Sequence, residues 1–328
     1  MTVPAWLWAL TIAVVALLFL FDFLSHVRKA HVPGLRESAL WSIFYILLAC
    51  LFAVGLWYFA GSPRATEFLA GFVTEKSLSV DNLFVFALLF ERFKVPLAAQ
   101  QKALLTGIVL ALVLRGMFIA VGGAVLATFS WVFYLFGIFL VYTAIKLVLE
   151  SLDSSPAPQE FEPNACVRWL GRYLRLGDSY DGARLYTHHE GKRVFTPMVM
   201  VIIALGTTDI LFALDSIPAI FGLTQSSYIV FTANVFALLG LVQLYFLLGG
   251  LLKRLRYLGI GLALILAFIG VKLVLEAMHM NTLPFINHGQ PIGWAPEVPT
   301  WLALVVIVGI LAVTTLASLM GNSTERHS

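Results

Sequence analysis

The chain has 328 residues, of which 60% are hydrophobic and only 12% charged, and its mean hydropathy is +0.92. Soluble domains carry about a quarter charged residues, so this balance excludes a water-soluble fold and sets the length to be counted in membrane spans. The net charge of +3 is too small to suggest a nucleic-acid partner, and two cysteines, Cys50 and Cys166, make no disulfide framework.

Nine apolar stretches are long enough to cross a bilayer: roughly 4–24, 39–60, 68–90, 103–127, 131–150, 196–221, 227–251, 257–278 and 300–320. The first has no basic residue before it and no small-residue cleavage site after it, so it reads as a retained span. Lys and Arg alternate between loops. Arg28, Lys29 and Arg36 follow the first span, and Arg92, Lys94 and Lys102 the third. Six basic residues from Arg168 to Arg193 follow the fifth span, and Lys253, Arg254 and Arg256 follow the seventh. The alternate loops hold only Arg64. The positive-inside rule then places the N-terminus outside and the C-terminus in the cytoplasm of a bacterial inner (plasma) membrane. The lipid bilayer is the first expected partner.

Between spans five and six, the cytoplasmic loop 151–195 opens with a Pro-rich, acidic linker. Residues 166–176 then place Val167, Leu170 and Leu174 on one helical face, and Arg168, Arg172 and Arg175 on another. This pattern predicts an amphipathic helix on the inner leaflet. Leu185–Thr187 and Arg193–Phe195 flank Glu190-Gly191, which predicts a hairpin. The extracytoplasmic loop 279–299 holds His279 and His288, whose spacing matches no metal motif, and the last span covers 300–320.

Two segments carry charge where lipid is expected. Glu75 and Asp81 lie in one, Asp209 and Asp215 in the other, each pair six residues apart. An Asp at the centre of a span costs about 2.5–3.5 kcal/mol on the insertion scale, so two matching pairs ask for a cation. Six residues on a straight helix advance about 9 Å and leave the side chains about 120° apart. Either each helix is interrupted between its acids, with Ser77, Ser79 and Pro218 as the loosening residues, or one acid of each pair is central. Asp81 and Asp215 are the expected central pair.

The chain also repeats itself. Lys146–Glu150 matches Lys272–Glu276, Gly122-Gly123 matches Gly249-Gly250, and the first acidic pair matches the second, at offsets of 126, 127 and 134 residues. Spans three to five (68–150) thus correspond to spans six to eight (196–278). Three is odd, so the second copy enters the membrane from the opposite side. The predicted fold is an all-α polytopic membrane protein, a single integral domain over 1–328. It has about nine transmembrane helices and a 3+3 inverted-topology repeat, an architecture that puts transport sites near the midplane. Lys146–Glu150 and Lys272–Glu276 read as self-paired or snorkelling groups at span ends, and Asp22 as structural.

The candidate ligands are oxygen donors: Glu75, Asp81, Asn82, Asp209, Asp215 and Ser216, supported by Ser79, Thr207 and Thr208. No Cys, His or Met lies in these motifs. Copper and zinc prefer sulfur and imidazole, whereas Mn²⁺, Mg²⁺ and Ca²⁺ suit oxygen. Four carboxylates offset by Lys76 and Arg115 leave a charge of about minus two, which suits one divalent ion. The competing reading of the same residues is a set of buried salt bridges to Lys76 and Arg115. No nucleophile–base set, phosphate loop, haem motif or paired metalloprotease histidines occur, so no enzyme is expected.

Glu75–Phe86, Thr207–Phe221 and Ala233–Gly240 resemble the TerC family of integral membrane proteins, a likeness that runs from about Phe72 to Lys272. The resemblance implies metal-ion transport, with Mn²⁺ export as the activity, and brings the tellurium-resistance label. It implies Glu75, Asp81, Asp209 and Asp215 as metal ligands and adds Asn234 as a supporting residue. Gly206 stands where some members carry a further glutamate, and Val242, the repeat partner of Arg115, where many carry an arginine. The divalent cation is expected as substrate, with no tightly bound cofactor. The alternative is a tellurium-resistance protein that acts indirectly, as a scaffold or metal-loading partner in a membrane complex.

Overall fold

The computed structural model describes residues 4–26, 33–129, 131–152, 180, 184–189, 192–248, 257–281, 283 and 286–324. The amphipathic segment 166–176, the basic residues 253–256 and the Gly249-Gly250 landmark lie outside them.

The protein is a polytopic all-α membrane protein. Helices α1 (Ala5–His26), α2 (Leu35–Ala60), α3 (Ser62–Arg92), α4 (Leu97–Thr128) and α5 (Val132–Leu152) come first. A hairpin follows, β1 (Tyr186–His189) paired antiparallel with β2 (Lys192–Phe195), in the register Tyr186 opposite Phe195 that the Glu190-Gly191 turn predicts. Then come α6 (Pro197–Phe221), α7 (Ser227–Leu238), α8 (Leu241–Leu248), α9 (Leu258–His279) and α10 (Thr300–Thr324). Among the described residues, eight segments are long and apolar enough to span a membrane, α7 and α8 together making one of them. The expected third span is α3. At 31 residues, about 46 Å, it is long enough. Its charged residues, Glu75, Lys76 and Asp81 among them, set it apart from the eight.

Local sequence explains the ends. Gly61, at φ 89°, turns the chain from α2 into α3, and Pro63 sits in the first turn of α3, where a missing N–H costs nothing. Pro197 opens α6 in the same way. Tyr180, between α5 and the hairpin, donates its hydroxyl to Phe93 O at the end of α3 at 2.6 Å, and partial burial pushes that hydroxyl's pKa up, which keeps it a donor.

Of the two alternatives for the acidic pairs, the interrupted helix does not occur. Neither acidic helix is interrupted: α3 runs through Glu75 and Asp81, and α6 through Asp209, Asp215 and Pro218. Pro218 lies in the last turn of α6, where losing one backbone bond leaves the helix intact. The break falls instead in the seventh span, between α7 and α8. Leu239 is extended there and Gly240 takes φ 74°, a left-handed geometry that suits glycine. A side chain at Gly240 would also strike Tyr45.

The helices of the two proposed repeats pack crosswise. α3 lies on α7, α4 on α6, and α5 on α9, the most extensive pairing in the molecule. A two-fold relation between the repeats requires this reciprocity. α1, α2 and α10 lie at the periphery with much of their apolar surface exposed. Exposed aromatics gather at one end of the bundle: Trp6 opens α1, Trp57, Tyr58 and Phe59 close α2, Trp131 precedes α5, and Trp301 opens α10. With alternating spans these ends share one face, as an interfacial aromatic belt does.

The α5–α9 contact is made backbone to backbone. A Cβ at Gly137 would lie 2.8 Å from Gly270 O, and one at Gly270 would lie 2.9 Å from Gly137 O. Neither obstacle can rotate away. Gly270→Leu is therefore expected to cost about 1–3 kcal/mol or more, read as a lower thermal midpoint in detergent. Gly309→Leu, in open space on α10, serves as the control. Equal midpoints for the two variants would overturn the packing argument.

Candidate intramembrane ion site

Three helices meet at one guanidinium. α3 presents Glu75, α4 presents Arg115 and α6 presents Asp209, and all three side chains are essentially buried. Arg115 donates from Nε to Asp209 Oδ2 at 2.7 Å and from Nη2 to Asp209 Oδ1 at 3.1 Å, a bidentate fork. Its Nη1 donates to Glu75 Oε1. One cation thus joins the first acid of each repeat. Small residues let the helices approach: Gly107 packs on Leu205, and a Cβ at Gly206 would come within 2.5 Å of Leu110 Cδ2. A larger residue at position 206 would require the Leu110 side chain to move.

The second acid of α6, Asp215, is half-buried and lies within electrostatic reach of both Glu75 and Arg115. Ser216 is buried beside Glu75 without a well-formed hydrogen bond to it. Ser79 and Asn82 follow Glu75 on one face of α3 at helical spacing, and both are buried. Thr208 is buried on α6 and Asn234 on α7. Among the described residues, Glu75 Oε2, Thr74 Oγ1, Ser79 Oγ, Ser216 Oγ and both polar side-chain atoms of Asn234 have no hydrogen-bond partner. Asp81 lies on α3, but its side chain is outside the described residues.

This arrangement corrects the expected charge balance. Lys76 does not neutralise the carboxylates. Its Nζ donates to Ala237 O at 2.9 Å and to Leu239 O at 3.1 Å, at the break of the seventh span. Arg115 alone faces Glu75, Asp209 and Asp215, so the described groups carry two more negative charges than positive ones. The acids that Arg115 joins are Glu75 and Asp209, the first of each pair. Among the described residues no group of three His, Cys, Asp or Glu is arranged as a ready-made metal cage, because Arg115 holds oxygens of both central acids. Val242, the repeat partner of Arg115, is a buried apolar residue of α8, so the second repeat supplies no matching guanidinium.

The end of the bundle where α6 closes holds a second polar cluster that sequence reasoning read differently. Lys272 is buried and donates to Gly222 O at 2.6 Å, capping the C-terminal end of α6 instead of snorkelling. Glu276 accepts from Gln225 Nε2, and Glu67 accepts from Thr224 Oγ1 at 2.6 Å and from Arg64. These groups line a polar cavity of about 320 Å³. It sits beyond Asp215 along α6, at the helix's C-terminal end. Only the bare polarity of Glu67 and Thr224 could have pointed to it. Asp22 is structural as expected: it accepts from Tyr45 Oη at 3.0 Å and from Gln243 Nε2 at 3.1 Å.

An all-α multi-span bundle with a buried cluster of two acids and one arginine at its centre defines a polytopic integral membrane protein. The chain belongs to the integral membrane protein TerC family, whose model matches residues 60–326. It is 49% identical over 311 residues to an uncharacterized membrane protein of Mycobacterium tuberculosis, covering 95% of this chain and 78% of that one. It is 37% identical over 322 residues to an uncharacterized membrane protein of Myxococcus xanthus, covering 98% and 93%. It is 35% identical over 325 residues to an Escherichia coli protein named "Putative membrane-bound redox modulator Alx", covering 96% and 95%. No solved structure matches the chain.

Proposed function

We propose that the protein is a transporter that exports a hard divalent cation, with Mn²⁺ as its cargo, through the acidic site of α3, α4 and α6. The observation that carries this reading is the group of three carboxylates, Glu75, Asp209 and Asp215, around a single guanidinium inside an apolar bundle. The free oxygen of Glu75, the Asp215 carboxylate and the unpartnered Ser79, Ser216 and Asn234 oxygens are hard donors. Asp81 and Asn82 extend this set along α3, and Thr208 along α6.

In this mechanism Arg115 is the internal counter-charge. It holds Glu75 and Asp209 together, and an entering divalent ion competes with it for their oxygens. Asp215, outside the ion triad and nearer the polar cavity, receives the ion on the way out. The cytoplasmic entry, the outward release and the 3+3 inverted repeat belong to this proposal, as does the bacterial inner membrane with the N-terminus outside. The family label and the reciprocal packing support it.

The redox name belongs to the Escherichia coli relative. In this chain Cys50 is exposed on α2, apart from the acidic site, and Cys166 lies outside the described residues. The scaffold reading would rest on the basic segment 166–176, which also lies outside them.

The test is ion flux into vesicles containing the purified protein, comparing Mn²⁺, Mg²⁺, Ca²⁺ and Zn²⁺ across a pH gradient. Saturable Mn²⁺ movement above empty vesicles is expected, with Zn²⁺ poorly carried. Flux indistinguishable from empty vesicles for all four ions would overturn the proposal.

A further inference from the structure

The break in the seventh span exposes backbone. α7 ends at Leu238, and its last carbonyls have no helical partner, because Leu239 is extended and Gly240 turns the chain into α8. Inside a membrane such carbonyls need a donor or a cation. The macrodipole of a 12-residue helix adds partial negative charge at the same point. Two carbonyl oxygens, Ala237 O and Leu239 O, converge on one atom, the Lys76 Nζ. Lys76 comes from α3, more than 160 residues earlier in the chain. Among the described residues no carboxylate forms an ion pair with it. Its bonding is that of a small cation held by backbone oxygens at a helix break.

We propose that this break is a monovalent-cation site whose built-in occupant is the ammonium of Lys76. In broken-helix transporters, unwound carbonyls and half-helix C-termini hold the coupling ion. Here the same geometry holds a cation that cannot leave, because it is tethered to α3. The tether also explains the pairing next door. Lys76 follows Glu75 in sequence, yet it is committed to α7, which leaves Glu75 and Asp209 to Arg115. The ligand class follows from the occupant: ammonium, methylammonium or K⁺, ions that backbone carbonyls can hold without a carboxylate. Truncating Lys76 removes the tethered ammonium and leaves Ala237 O and Leu239 O without their donor, the vacancy a small soluble cation would fill.

The experiment uses the purified full-length chain in detergent and reads thermal stability, so it does not depend on which ion is the cargo. Lys76→Ala is compared with the parent in methylammonium chloride and in choline chloride of equal ionic strength. The parent is expected to respond equally to both salts. The variant is expected to unfold at lower temperature in choline and to regain about 2–4 °C or more, saturably, in methylammonium. A variant as stable as the parent in choline would overturn the proposal, as would equal midpoints of the variant in the two salts. If Lys76→Ala survives extraction only with methylammonium or ammonium present, that dependence is the expected result. Loss in both salts alike overturns it.

Discussion

Replacing Arg115 by methionine is expected to be among the most damaging single changes in the protein. Glu75 and Asp209 would be left buried with no counter-charge, and breaking a buried ion pair from one side costs about 3–5 kcal/mol. The measurement is the thermal midpoint of the purified protein, together with its yield in the membrane. The triple variant Glu75→Gln, Arg115→Met, Asp209→Asn removes all three charges at once. It should recover most of the loss, because a neutral cluster has little to desolvate, and it should still carry no metal. A single Arg115→Met variant as stable as the parent would show that the triad does not hold the helices together.

The second large effect separates transport from folding. Asp215 is half-buried and outside the hydrogen bonds that join α3, α4 and α6. Asp215→Asn keeps its size and removes one charge, so the thermal midpoint should change little. Mn²⁺ flux should fall by at least about a hundredfold, since even residues behind metal ligands commonly cost 10–100-fold. Glu75→Gln should lower flux and stability together, because Glu75 has both roles. Full Mn²⁺ flux in Asp215→Asn would remove Asp215 from the path of the ion.

Much of this was legible in the residues. Hydropathy alone gave the spans, because each needs about 20 apolar residues and few other structures do. The Glu190-Gly191 turn gave the hairpin. The carboxylates stood out because charge in a span is costly enough to need a reason. What was not legible was pairing in space. The spacing of Glu75 and Asp81 left open a broken helix or a single central acid; α3 is unbroken, and the crosswise packing of α3, α4 and α6 brings Glu75 and Asp209 to one arginine. Lys76 stood next to Glu75 in sequence and was read as its neutraliser, yet adjacent residues on a helix point about 100° apart. Its actual acceptors are carbonyls, which every residue has and which no sequence pattern marks. Gly240 was the one available signal of the break: a glycine within an apolar span, at a point where only left-handed backbone continues the chain.

The contact between Gly137 and Gly270 bears on how such a bundle could move. Two helices whose backbones touch at a glycine crossing, with Val141 and Val274 packed against it, have little freedom to shift there without a clash. α5 and α9 therefore form an axle. Opening to alternate sides of the membrane would have to occur around it, as α3 and α4 tilt against α6 and α7. Those interfaces are made of side chains, and they are the ones that enclose Glu75, Arg115 and Asp209.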